Sequence, residues 1–221
     1  MHIVIKVGGS LCIGKDGPKE VYFRKLISVL RNLSKTNKLI LCVGGGRLTR
    51  SYEKLIKNFK LSNKEKEEIF VDLVNANNKF LAFAIGVAPC IDLNSLTRRK
   101  RIQVVGASRP GISTDADAAM AASKIGADLF IKLTNVDGIY TKDPRKYKRA
   151  KKMDFIPFTH LMKERIKPHP NNYGVLDYKA IEIISKNKIP TVVCNGKNPK
   201  VILDILKGKK VGTFIGKAPV V

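Results

Sequence analysis

Residues 3–11 read IVIKVGGSL. Three β-branched residues (Ile3, Val4, Ile5) and Val7 surround one lysine, Lys6, and the run empties into two glycines and a serine. The design returns at KLILCV (38–43), a nearly continuous apolar run followed at once by GGGR (44–47). A short apolar run without alternation is what a strand buried on both faces looks like. Glycine at its exit permits φ > 0 and removes the Cβ that would keep a ligand off the main chain. With a helix following, several N–H groups converge on one point, and the helix's amino-terminal partial charge adds to them. Two such strand ends predict a place where bare backbone holds anions.

The rest of the chain alternates in the same way. Residues 18–34 carry Val21, Leu26, Val29, Leu30 and Leu33 at helical spacing. Further helices are expected from about Leu48 to Phe59, over 61–86 from a Ser62 cap, and over 114–127 from a Thr114 cap to Gly126. Two more are expected over 177–188 from Asp177 and over 198–208, with Pro199 in the first turn and Gly208 at the end. Strands are expected at 2–7, 38–43, 102–105, 128–134, 190–196 and 210–216, and 153–166 reads as a mixed region with a short helix. Strands alternating with helices, with no internal repeat, imply a single α/β domain: a three-layer sandwich whose central, mainly parallel sheet is covered by helices on both faces. Ligands of such sheets bind at the carboxyl ends of the strands.

Composition narrows the classes. The 221 residues are 44% hydrophobic and 27% charged, a globular balance. Lys and Arg outnumber Asp and Glu by 42 to 18, for a formal charge of +24, which favours anionic partners. The lysines are spread along the chain, as on a solvated surface. The denser runs TRRKR (97–101) and DPRKYKRAKK (143–152) carry no stacking aromatic except Tyr147, which argues against a nucleic-acid groove. Cys12, Cys42, Cys90 and Cys194 show no CxxC spacing, and His2, His160 and His169 share no ligand spacing, so no protein-held metal is expected. Cys42 and Cys194 read as small buried hydrophobes. Cys12, just past the first glycine turn, is the candidate for a reactive thiol, although it lacks an activating partner. There is no signal peptide and no apolar run near the ~20 residues of a membrane span, so a soluble, cytoplasmic protein without a membrane partner is expected.

Two further strand exits are polar. In GASRPGISTDADAA (106–119), Ser108, Ser113 and Thr114 can hydrogen-bond a base or sugar. Asp115 falls in the first helical turn, where the helix dipole favours a carboxylate by ~0.3–1 kcal/mol, and Asp117 is expected to do only that. In LTNVDGIYTKDP (133–144), VDG reads as a hairpin turn and Asn135, Asp137, Tyr140 and Asp143 form a dense polar set ended by Pro144. Neither a GxxxxGK[ST] P-loop nor a GxGxxG fingerprint occurs.

Taken in order, IVIKVGGSL, CVGGGRLTR, GASRPGISTDADAA and TNVDGIYTKDPRK resemble the amino-acid-kinase family, which includes aspartate, N-acetylglutamate, carbamate and uridylate kinases. The resemblance covers nearly the whole chain, and its archaeal-type uridylate kinase branch is the most similar. GGGRLTR matches that branch's GGG-x-x-x-Arg phosphate turn. VNANNKFL (74–81) resembles its helix before the acceptor pocket, RPGISTDA its nucleotide-binding loop, and GVLDYKAIEII (174–184) its penultimate helix. The resemblance implies phosphoryl transfer from ATP to UMP, with Mg2+ bound through the nucleotide. It implies that Lys6 touches the transferring group and Asp115 organises it. Gly8, Gly9 and Ser10 would line the donor triphosphate, with Gly45, Gly46 and Arg50 holding phosphates. Gly44, Glu67 and the segment Ser108, Arg109, Pro110, Gly111, Ile112, Ser113 and Thr114 would enclose UMP, while Thr134, Asn135, Tyr140 and Asp143 would hold ATP. A UMP half of about 1–125 and an ATP half of about 126–221 follow. The family usually has Asp at the ribose contact where Glu67 stands, with Glu68 and Asp72 nearby, and often has Arg where Asn75 stands. A hexamer and feedback by UTP are implied in the same way. The rivals are a kinase for isopentenyl phosphate, whose second glycine turn normally brings a histidine that GGGRLTR lacks, or for an aminomethylfuran phosphate. In another class stands a non-catalytic nucleotide- or nucleic-acid-binding module.

Overall fold

The computed structural model describes residues 1–90, 92–144, 146–163 and 175–218. β1 (His2–Val7) is wholly buried beyond His2. Ile3, Ile5 and Val7 enter one core and Val4 the other, so the two-residue period of a strand puts Lys6 on the face of Val4. Each fully buried branched side chain of this strand contributes about 1.5–3 kcal/mol.

The chain continues through α1 (Gly9–Cys12) and a small hairpin, β2 (Ile13–Gly14) with β3 (Gly17–Pro18). These pieces are too short to carry an apolar period. α2 (Glu20–Leu33) buries Phe23, Leu26, Leu30 and Leu33, whereas Val21, placed on that stripe by spacing, faces out. β4 (Lys38–Val43) has the expected bounds. α3 (Gly46–Ile56) begins before Leu48 because the glycine turn winds straight into it. α4 (Asn63–Ile85) opens on a capping box: Ser62 Oγ accepts from Glu65 N–H, and Glu65 Oε2 accepts from Ser62 N–H at 2.7 Å. It closes on Gly86 at φ 94°.

β5 (Ile102–Val104) leads to α5 (Thr114–Ile125), whose cap is Ser113 rather than Thr114: Ser113 Oγ accepts from Ala116 N–H at 3.0 Å. After β6 (Leu129–Thr134) comes β7 (Ile139–Tyr140), which pairs antiparallel with β8 (Lys152–Met153) and not with β6. The VDG stretch is therefore a bend between two sheets and not a hairpin turn. β8's last residue, β9 (Phe155–Pro157) and α6 (Phe158–Lys163) resolve the mixed region, of which 164–166 lie outside the described residues, as do His169 and Gly174. α7 (Tyr178–Lys186) is capped by Asp177, as expected. β10 (Thr191–Asn195) precedes α8 (Val201–Leu206), which starts after Pro199 rather than around it, and β11 (Thr213–Gly216) ends the described fold.

The main sheet has seven strands in the order β5-β4-β1-β6-β10-β11-β9. Its pairs are parallel except for β10 with β11. α2, α4 and α8 cover one face through Phe23, Leu26, Leu81, Ala82 and Ile202. α5, α6 and α7 cover the other through Ala118, Ala122, Leu161, Ala180 and Ile184. The three layers expected from the alternation are present. Among the described residues no helix is long and apolar enough to cross a membrane.

Candidate active site

β1 and β4 are neighbours in register, with Val7 opposite Val43, so their glycine exits lie side by side. The contact is main chain on main chain. A Cβ on Gly9 would stand 2.2 Å from Gly46 N and 2.5 Å from Gly44 O, and one on Gly46 would stand 2.6 Å from Gly9 O. At these two positions the missing side chain makes room for the other turn rather than for a ligand. Gly44 is the glycine that faces inward: a Cβ there would lie 3.3 Å from Lys6 Nζ and 3.4 Å from Thr114 Oγ1. Gly8 N–H donates to Leu133 O at 2.8 Å and ties the first turn to β6.

Beneath the turns lies a buried cluster of charges. Lys6 and Lys132 are register partners on β1 and β6, and both side chains reach Asp115 in the first turn of α5. Lys6 Nζ is 2.7 Å from Asp115 Oδ1, and Lys132 Nζ donates to the same oxygen. Burial is the largest influence on all three and opposes charge. In Asp115 it is outweighed by the ammoniums of Lys132 and Lys6, which bring the carboxyl down to about 2. In Lys6 the attraction of Asp115 and its hydrogen bond prevail and raise the pKa. In Lys132 burial prevails, with Lys6 adding repulsion, and the pKa falls to about 8. One carboxylate serving two buried cations holds one firmly and the other less so.

A cavity of about 540 Å3 opens above this cluster at the carboxyl ends of the strands. Of the residues expected at the site, it is lined by Lys6, Gly8, Gly9, Ser10, Gly44, Gly45, Gly46, Arg50, Glu67, Ile112, Ser113, Thr114, Asp115, Thr134 and Asn135. Glu68 and Asp72, the alternatives to Glu67, are exposed, and Glu68 lies 3.9 Å from Lys64. Ser108, Arg109, Pro110, Gly111, Tyr140 and Asp143 do not line it. Ser108 is turned instead to Asp117: its hydroxyl donates to Asp117 Oδ1 at 2.5 Å and its N–H to Oδ2 at 3.3 Å. Asp117 thus anchors the loop and is more than a charge for the helix dipole; burial pushes its pKa up to about 6 against those bonds. Gly111 N–H donates to Glu67 Oε2 at 3.2 Å, and Ser113 Oγ donates to Asp177 at the head of α7. Cys12 is buried, and burial pushes its thiol up to about 12, which removes it as a reactive group.

The motifs left several lining residues unmarked. Lys132 is the chief one; its signal is a lysine inside an otherwise apolar buried strand, as in β1. Phe70, Val71 and Val74 of α4 form an apolar wall. Thr49 also lines the cavity; its hydroxyl, buried without a partner among the described residues, lies so close to Gly45 that a Cβ there would stand 1.7 Å away.

A parallel sheet that ends in paired glycine turns over a lysine–aspartate–lysine cluster sets bare main chain beside buried cations, an arrangement whose chemistry suits an anion. The chain belongs to the amino acid kinase family, whose model matches residues 1–93 and 92–195. A uridylate kinase of Thermococcus kodakarensis is 32% identical over 224 residues, covering 97% of this chain and 99% of that one. A uridylate kinase of Methanospirillum hungatei is 33% identical over 231 residues, covering 98% and 97%. The crystal structure of the Archaeoglobus fulgidus uridylate kinase superimposes with a TM-score of 0.86 at 31% identity, covering 98% of this chain and 100% of that one.

Proposed function

We propose that this chain is a uridylate kinase: it transfers the γ-phosphoryl group of ATP to UMP and releases ADP and UDP. The observation that carries the reading is the Lys6–Asp115–Lys132 cluster under two abutting glycine turns, in a chain similar over nearly its whole length to uridylate kinases. A phosphate oxygen of UMP attacks the γ-phosphorus while the bond to the β,γ-bridging oxygen breaks. The acceptor is already an anion, so the protein's task is to hold two mutually repelling phosphates in line. Lys6 and Lys132 neutralise charge as it spreads over the moving group, and Asp115 fixes both ammoniums in place beforehand.

In this reading Gly8, Gly9, Ser10, Gly45, Gly46 and Arg50 face phosphates. Gly44, Glu67, Ile112, Ser113 and Thr114 border UMP, with Glu67 at the ribose. Ser108 to Gly111 support that loop from outside the cavity. Thr134 and Asn135 border ATP, and Tyr140 and Asp143 help to hold it. Among the described residues no group of three or more His, Cys, Asp or Glu is placed to hold a metal, and Asp115 is engaged by two lysines. With Asp115 so engaged, the reading has Mg2+ arrive on the nucleotide phosphates, where it would add charge neutralisation. The hexamer belongs to the same proposal.

Coupled ADP release with UMP, CMP, isopentenyl phosphate and furan phosphates as acceptors tests the substrate. UMP is expected to give the highest kcat/KM; a clear preference for another acceptor overturns the reading. Lys6→Ala is expected to lose about 3–4 kcal/mol of transition-state stabilisation with the fold intact.

A further inference from the structure

α4 carries three buried asparagines in succession on its inner face: Asn75, Asn77 and Asn78, only 7%, 8% and 1% exposed. Buried amides must find partners, and these find the main chain of two strand exits. Along β4 the odd residues turn their peptide groups toward β5: Leu39 N–H donates to Arg101 O, and Leu41 O accepts from Val105 N–H. That pairing ends at Leu41 opposite Val104, and beyond it both strand exits, at Gly44 and Ala107, border the cavity. Val43 is next in the series and has lost its neighbour. Asn78 takes the neighbour's place: its Oδ1 accepts from Val43 N–H at 2.7 Å and its Nδ2 donates to Val43 O at 2.8 Å. On the far bank Asn75 does the same for Ala107, accepting from its N–H at 2.8 Å and donating to its carbonyl at 3.4 Å. Asn77 Nδ2 donates to Gly44 O at 3.3 Å. Gly106 exists to admit this arrangement, since a Cβ there would fall 2.0 Å from Asn75 Oδ1.

We propose that Asn75, Asn77 and Asn78 are positioning residues for phosphoryl transfer: three amides of one helix stand in for the missing ladder between the parted ends of β4 and β5. They thereby fix the span between the phosphate turn at Gly44–Gly46 and the acceptor loop at 106–113. The inference rests on the proposed reading only in taking that span as the acceptor's seat. Glu67, Phe70, Val71 and Val74 lie on the same helix, so the wall of the seat and the spacing of its two rims are set by one rigid rod.

The test is a double-mutant cycle between Asn75 and Gly106, run well below each variant's melting temperature. Asn75→Ala is expected to raise KM for UMP about tenfold or more, since misplacements of an ångström cost up to a hundredfold, with KM for ATP within about twofold. Gly106→Ala, which pushes Asn75 off Ala107 without altering it, is expected to do the same. With both changes the next contact for the new Cβ is Asn75 Cα at 3.9 Å, so the double variant should be no worse than Asn75→Ala alone. Melting temperatures that fall while both KM values and kcat stay at wild-type levels would reduce the trio to scaffolding and overturn the proposal, as would effects that simply multiply. Should Asn75→Ala fail to fold, Gly106→Ala against wild type carries the same KM comparison. If the wild type itself prefers another acceptor, that outcome falls on the proposed substrate, and the cycle is run with the acceptor the wild type uses.

Discussion

Lys132 sits in LFIKLT between Ile131 and Leu133, both fully buried, and nothing in its neighbourhood marks it except its charge. It becomes a site residue because β6 lies beside β1 and brings it level with Lys6. Lys132→Met is expected to lower turnover by about a hundredfold or more, the usual cost of one charge-stabilising donor, while Lys6 keeps Asp115 compensated. The depressed pKa gives a second readout. Lys132 is charged below about 8 and neutral above it, so kcat/KM, which reports the free protein, should fall as pH rises through about 8. Lys132→Arg stays charged at any working pH, and that alkaline limb should vanish from its profile. An unchanged limb in the Arg variant would take the Lys132 cation out of the mechanism. Asp115 acts at the other end of the scale. Held at about 2 against an ordinary 3.8, it contributes stability that is complete above the ordinary value and is lost as pH falls toward 2.

Among the elements, the two glycine turns separate packing from chemistry. Gly9→Ala and Gly46→Ala drive a Cβ into the main chain of the opposite turn and are expected to cost about 3 kcal/mol or more, the upper range of overpacking. Gly44→Ala meets its nearest atoms only at 3.2–3.4 Å, so urea unfolding should show about 1 kcal/mol while turnover collapses, because the new methyl stands beside Lys6. Equal destabilisation at all three positions would contradict this division. The strands that hold the turns were legible in the sequence because a doubly buried strand needs an apolar run, and IVIKV and KLILCV are such runs. The start of α4 was legible because a Ser62 cap is local chemistry, whereas the box with Glu65 and the left-handed Gly86 at its end emerge from the fold. The cap of α5 was not legible: Ser113 and Thr114 are both capping residues, Ser the somewhat better one, and the extended backbone of Ser113 (φ −74°, ψ 154°) decides between them. Nor could local signals show that β7 skips β6 to pair with β8, that Asp117 claims Ser108, or that three asparagines on a helix complete a sheet. Those facts depend on partners brought in from afar.

At the scale of the whole molecule, a formal charge of +24 accompanies a site proposed to take two anions. Such a field raises the local concentration of nucleotides, and salt screens it, the Debye length shrinking from about 30 Å at 0.01 M to about 8 Å at physiological strength. KM for both ATP and UMP is expected to rise with added salt while kcat holds within about twofold, because the buried Lys6 and Lys132 are shielded from the solvent ions. KM values indifferent to salt would leave the charge as a property of the surface alone. The same view shows what β1 means for movement. It is zipped to β4 on one flank and to β6 on the other, with Lys6 level with Cys42 and Lys132. The halves proposed for acceptor and donor thus share one continuous sheet, joined where β1 meets β6. A hinge between the two proposed regions would therefore have to break the β1–β6 ladder, five register pairs from Ile3 to Val7.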